Sequence, residues 1–140
     1  MPDERVRSVI VDLAAHEEMR AATALPPTLA SARTARSFVR EAIETFLPEE
    51  ALNTVELLTS EIVTNAVVHA NASPVVVVAG RAGAVRVAVQ DPDPHLPTCQ
   101  VVAETALSGR GLALVDTYAA AWGVALLPDA GKEVWFEVRE

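Results

Sequence analysis

From Thr28 onward the apolar residues Ala32, Ala35, Phe38, Val39, Ala42, Ile43 and Phe46 recur at three- and four-residue steps, the period of a helix that buries one face. With Thr28 as N-cap, the pattern predicts a helix over 29–46. Pro48 followed by Glu49 and Glu50 suits a first helical turn, where proline needs no donor and carboxylates oppose the positive dipole end. A second helix is expected from about 48 to 70, with Asn71 just past its end and Pro74 preventing its resumption. Upstream, Val6, Val9, Ile10 and Leu13 have helical spacing, and Met19 to Leu25 reads as an edge strand stopped by Pro26-Pro27.

The second half of the chain changes period. Val75 to Gly80 and Val85 to Gln90 flank Arg81-Ala82-Gly83-Ala84, and Trp122 to Leu127 and Glu133 to Val138 flank Pro128 to Lys132, so two antiparallel hairpins are predicted. The last strand alternates Val134, Phe136 and Val138 against Glu133, Trp135 and Glu137, which leaves its second face solvated or touching something else. Between the hairpins, Pro92, Pro94 and Pro97 exclude regular structure. Gly109-Arg110-Gly111 then opens a helix with Leu112, Val115, Tyr118 and Ala119 on one side. Hairpins and helices without repeated β-α-β alternation predict an α+β fold, a two-layer sandwich with helices over one face of a mixed, mostly antiparallel sheet.

Composition narrows the classes. At 140 residues and 51% hydrophobic the chain is long enough for one domain with its own core. A formal net charge of -8 argues against a broad grip on nucleic acid, which needs clustered Lys and Arg. It leaves open a nucleotide held by backbone N–H groups, a metal and one or two local cations. Cys99 stands alone and no leader pattern opens the sequence, so a cytoplasmic protein is expected. The longest apolar run, Val75 to Ala79, is too short for a bilayer.

Glu61, Asn65 and His69 follow at four-residue steps on the second predicted helix, drifting by about 40° per step, so they lie along one side. The neighbouring stripe Leu58, Ile62 and Ala66 is apolar, which puts the polar row at the margin of the buried face, where a carboxylate and an amide need partners. Taken alone the row has a plainer reading as well, with Glu61 solvated, Asn65 bonded locally and His69 at the helix's negative end.

The stretch Ser60-Glu61-Ile62-Val63-Thr64-Asn65-Ala66-Val67-Val68-His69 resembles the N-box of the GHKL, or Bergerat-fold, ATPases. Within them it is most similar to the bacterial anti-sigma-factor and serine-protein-kinase branch. The resemblance covers the chain from about residue 19 to 140 and implies an ATP-binding domain there, with residues 1–18 as an N-terminal extension. It implies ATP and Mg²⁺ as cofactors, Asn65 as the magnesium ligand, Glu61 as general base, and His69 beside the nucleotide. Asp91 matches the adenine-recognising aspartate, and Asp93 stands in the loop after it. Ser108, Gly109, Arg110, Gly111 and Leu112 resemble the second glycine box, whose amides face phosphates.

Two departures weaken the nucleotide site. Glycine positions of the first glycine box hold Asp93 and His95, adding bulk and, at Asp93, negative charge. The threonine that often precedes the final strand is replaced by Lys132-Glu133; losing that hydrogen bond alone costs roughly tenfold in affinity at most. The resemblance further implies a serine kinase that sequesters a sigma factor and phosphorylates a STAS-type anti-anti-sigma protein, and a homodimer. The alternative is a non-catalytic partner-binding module with a degenerate nucleotide site.

Overall fold

The computed structural model describes residues 18–69, 73–91, 113–127 and 131–140. Five strands and two long helices occupy them: β1 (Met19–Ala24), α1 (Ser31–Ile43), α2 (Glu49–His69), β2 (Val75–Arg81), β3 (Ala84–Asp91), β4 (Ala121–Leu127) and β5 (Gly131–Arg139). Residues 113–118 are also helical. The strands form one sheet in the order β1-β2-β3-β5-β4, and every pairing among the described residues is antiparallel.

Period-two alternation decides which face meets the helices. Val76 and Val78 of β2, Val85, Val87 and Val89 of β3, and Phe136 and Val138 of β5 form one buried cluster with Ala35, Val39 and Ile43 of α1 and Val55, Leu58, Ile62 and Val63 of α2. Each such side chain, fully buried, contributes about 1.5–3 kcal/mol. Val115 from the helical residues 113–118 joins the same cluster. Across the top of the helices, Arg40 of α1 pairs with Glu49 and Glu56 of α2; these carboxylates, Glu49 first, hold its guanidinium pKa above the ordinary value. That cluster is open to solvent, so it orients the helices more than it stabilises them.

Several expectations are corrected. The first helix runs over 31–43, not 29–46, and Thr28 does not cap it. Its carbonyl accepts from Ser31 N at 3.0 Å, while Ser31 Oγ donates to Pro26 O at 2.6 Å, so the Pro26-Pro27-Thr28 turn is closed by Ser31 before the helix starts. At the other end Phe46 N bonds Ile43 O in a turn after the last helical residue. Pro48 lies just outside α2, its carbonyl accepting from Leu52 N at 2.9 Å. Gly131 and Lys132, expected in a loop, open β5, where Leu127 pairs with Gly131 and Leu126 with Lys132. Tyr118, expected on the apolar side of its helix, is exposed. The expected N-terminal helix, Asn71 and the proline segment from Pro92 lie outside the described residues.

The second face of β5 is closed rather than solvated. Trp135 is 2% and Glu137 1% exposed, and Trp135 clusters with Ala88 and Ala121. Arg86 lies over the Trp135 ring, 5.5 Å from its centroid, and donates to Glu133 Oε1 at 2.9 Å, while Gln90 Nε2 donates to Oε2 at 3.1 Å. Trp135 also needs its neighbour to be glycine. A Cβ at Gly123, its register partner, would come within 2.8–2.9 Å of the indole. Gly123→Ala is therefore expected to destabilise by about 1–3 kcal/mol, the usual cost of overpacking. Urea denaturation followed by Trp fluorescence checks this, and an unchanged midpoint would show that the ring gives way freely.

Candidate functional site

Glu61 and Asn65 sit one helical turn apart on α2 and both are half-buried, whereas Leu58 and Ile62 beside them are fully buried. The polar row thus runs along the rim of the core, because the helix must present Leu58, Ile62 and Val63 to the sheet and the next positions round the cylinder fall at the margin. Ser60, which precedes the row, accepts a hydrogen bond from Arg36 Nη1 of α1, tying this part of α2 to its neighbour. Asn65 Oδ1 is buried and makes no hydrogen bond. A buried amide oxygen left unpaired costs about 1–3 kcal/mol, so an oxygen in that state is one that a ligand can satisfy.

The topology carries Asp91 to the same place. Residues 70–74 join the end of α2 to the start of β2, and Val75 pairs with Gln90, the residue before Asp91. Asp91 also continues the row Val85, Val87 and Val89, so it lies on the helix-covered face at the end of the sheet where α2 finishes. It is 3% exposed. Opposite it in the register stands Lys132, 7% exposed, with Nζ 3.0 Å from Asp91 Oδ2. This ion pair is the feature that sequence reasoning missed. The sequence alone places Lys132 in a hairpin turn and as the replacement of a threonine, although the alternation of β5 (Lys132, Val134, Phe136, Val138) against β3 (Asp91, Val89, Val87, Val85) contains the pairing.

His69 ends α2, and nothing beyond its backbone belongs to the described residues. Asp93, Ser108, Gly109, Arg110, Gly111 and Leu112 lie outside them as well. Of the expected site, then, the described residues include Glu61 and Asn65, one turn apart in the second half of α2, and Asp91, at the end of β3 on the helix-covered face. Among the described residues no three of His, Cys, Asp and Glu gather to hold a metal. A magnesium ion here would draw on the Asn65 oxygen together with phosphates and water, a donor set that suits this cation. No helix among the described residues is long and apolar enough to cross a membrane.

An antiparallel sheet roofed on one face by helices, with a polar row on the long helix and a buried aspartate at a strand end, is the architecture that the resemblance to Bergerat-fold ATPases leads one to expect. The family model of the histidine kinase-like ATPase domain matches residues 25–137, and the chain belongs to that family. Among solved structures, the crystal structure of the RsbU and RsbW domains of a Mycobacterium tuberculosis protein is similar in fold, with a TM-score of 0.65 at 23% identity. The likeness covers 86% of this chain and 32% of that one, so this chain spans under half of that protein's length. No curated protein matches.

The buried pair gives a stability test. Removing one partner of a buried ion pair leaves an uncompensated charge and costs about 3–5 kcal/mol, whereas replacing both by apolar residues is often neutral. Lys132→Met is expected to show that loss in urea denaturation, and the double replacement Asp91→Leu with Lys132→Met to recover most of it. Additive losses would show that the two side chains are uncoupled.

Proposed function

We propose that this ATPase domain binds ATP with Mg²⁺ at the end of α2 and acts as an anti-sigma-factor-like protein serine kinase. Its substrate would be a serine of a STAS-type anti-anti-sigma protein, and its second partner a sigma factor. The observation that carries the nucleotide reading is the buried, unpaired Asn65 Oδ1, one turn beyond Glu61 on α2. A magnesium ion held by the Asn65 oxygen would supply neutralisation of the phosphate charge. Glu61, half-buried at the rim, accepts the proton of the seryl hydroxyl as its oxygen attacks the γ-phosphorus and ADP leaves. Asp91 stands at the base end of the site, in the position of the family's adenine-recognising carboxylate. The RsbW domain in the similar structure supports the choice of this branch over other histidine kinase-like ATPases.

The Lys132 ammonium on Asp91 favours a second reading, a partner-binding module whose nucleotide site no longer turns over. The two separate cleanly. Calorimetric titration of ATP with and without Mg²⁺ should show metal-dependent binding that weakens about tenfold or more in Asn65→Ala; equal affinity in wild type and variant would remove Asn65 from the metal site. Transfer of radiolabelled γ-phosphate to STAS-type proteins of the same cell should be lost in Glu61→Gln while ATP affinity is retained. Stable partner complexes that form without nucleotide and never become labelled would establish the second reading instead.

A further inference from the structure

We infer that Lys132 is an internal competitor for the base-recognising carboxylate, so that the site selects its nucleotide by the phosphate tail and hardly by the base. The inference rests on the nucleotide reading given above and concerns what the chain's own residues do to it. An ammonium group has three donors and no acceptor. The exocyclic amine of adenine is a donor too, so the two groups seek the same carboxylate oxygens.

Three observations settle which donor prevails. Lys132 is directly opposite Asp91 in the β3–β5 register, with Nζ 3.0 Å from Asp91 Oδ2, so the competing donor is tethered beside the carboxylate. Both side chains are buried, at 9% and 4% exposure, so an ammonium that left Asp91 would have to stay in the interior unpaired, which buried charges do not tolerate. Both donors meet an ionised acceptor, but the ammonium carries a full charge and the adenine amine none, so the ammonium gains the larger Coulomb attraction to the same carboxylate. With Lys132 in place the carboxylate's charge is balanced within the protein. A base amine that reaches its other oxygen then meets a neutral pair instead of an anion. Lys132 is thus a specificity-determining residue, and its effect is to relax base selection.

The experiment needs no mutation in its first arm. The full chain is titrated with ATP and with purine riboside triphosphate, which lacks only the exocyclic amine, each with Mg²⁺. The expected result is two dissociation constants within about threefold of each other; a preference for ATP of tenfold or more, the size of one charge-assisted hydrogen bond, overturns the inference and leaves the nucleotide reading intact. In the second arm Lys132→Thr, checked for wild-type circular dichroism and a cooperative melt, is expected to bind ATP about tenfold tighter and to acquire at least tenfold preference for ATP over the amine-free analogue. A folded Lys132→Thr that binds both as wild type does also overturns it. Absence of binding to either nucleotide at millimolar concentration in both proteins overturns the nucleotide reading itself, and this inference with it.

Discussion

The register of β3 against β5 is the constraint on which both the core and the site depend. One alternation seats Val85, Val87 and Val89 and, opposite them, Val138, Phe136 and Val134 toward the helices, and the same alternation continues outward to place Asp91 beside Lys132. A slip of one residue would turn the valines out and two buried charges away from each other, because side chains alternate faces with period two. Several large apolar side chains at about 1.5–3 kcal/mol each hold that register, far more than the ion pair alone contributes. The geometry of the site is therefore inherited from hydrophobic packing, and the charges occupy positions that the packing has already chosen.

The same logic explains why α2 carries polar groups at its rim. A helix 21 residues long that lies on the sheet buries one stripe, here Leu52, Val55, Leu58, Ile62 and Val63, and exposes another at Asn53, Leu57 and Val68. Glu61 and Asn65 fall between. Such positions are shielded enough for an oxygen to lose its water and open enough for a ligand to replace it. That intermediate burial is what the proposed nucleotide role of the row requires, and full exposure or full burial would each abolish it.

Much of this was legible in the sequence because it is encoded locally. Helical spacing through α2, the valine runs of β2 and β3 and the glycine at the hairpin tip each declare themselves within a few residues. Helix ends were less readable: Ser31 Oγ bonds back to Pro26 O, and that turn displaces the start of α1 past the residue that looked like its cap. Lys132 was hardest, since its partner lies 41 positions away in sequence (132 − 91) on a strand that is not its hairpin neighbour. Short-range rules assigned it to a turn, and only the sheet order reveals what it neutralises. The closed second face around Trp135 was hidden for a similar reason, as Arg86 and Glu133 meet there from separate hairpins.

At the far pole of the sheet, Gly83 holds φ +85°, donates its N–H to Phe46 O and accepts from Glu140 N, both at 2.8 Å. These links join the turn after α1, the β2–β3 tip and the end of β5 through main-chain atoms alone. The bonds themselves do not involve the side chains of Phe46 or Glu140, although Phe46 also packs against the core; what they require is a left-handed backbone at position 83. The domain is thereby tied differently at its two poles: one through main-chain atoms at Gly83, the opposite one through the side chains of Asp91 and Lys132.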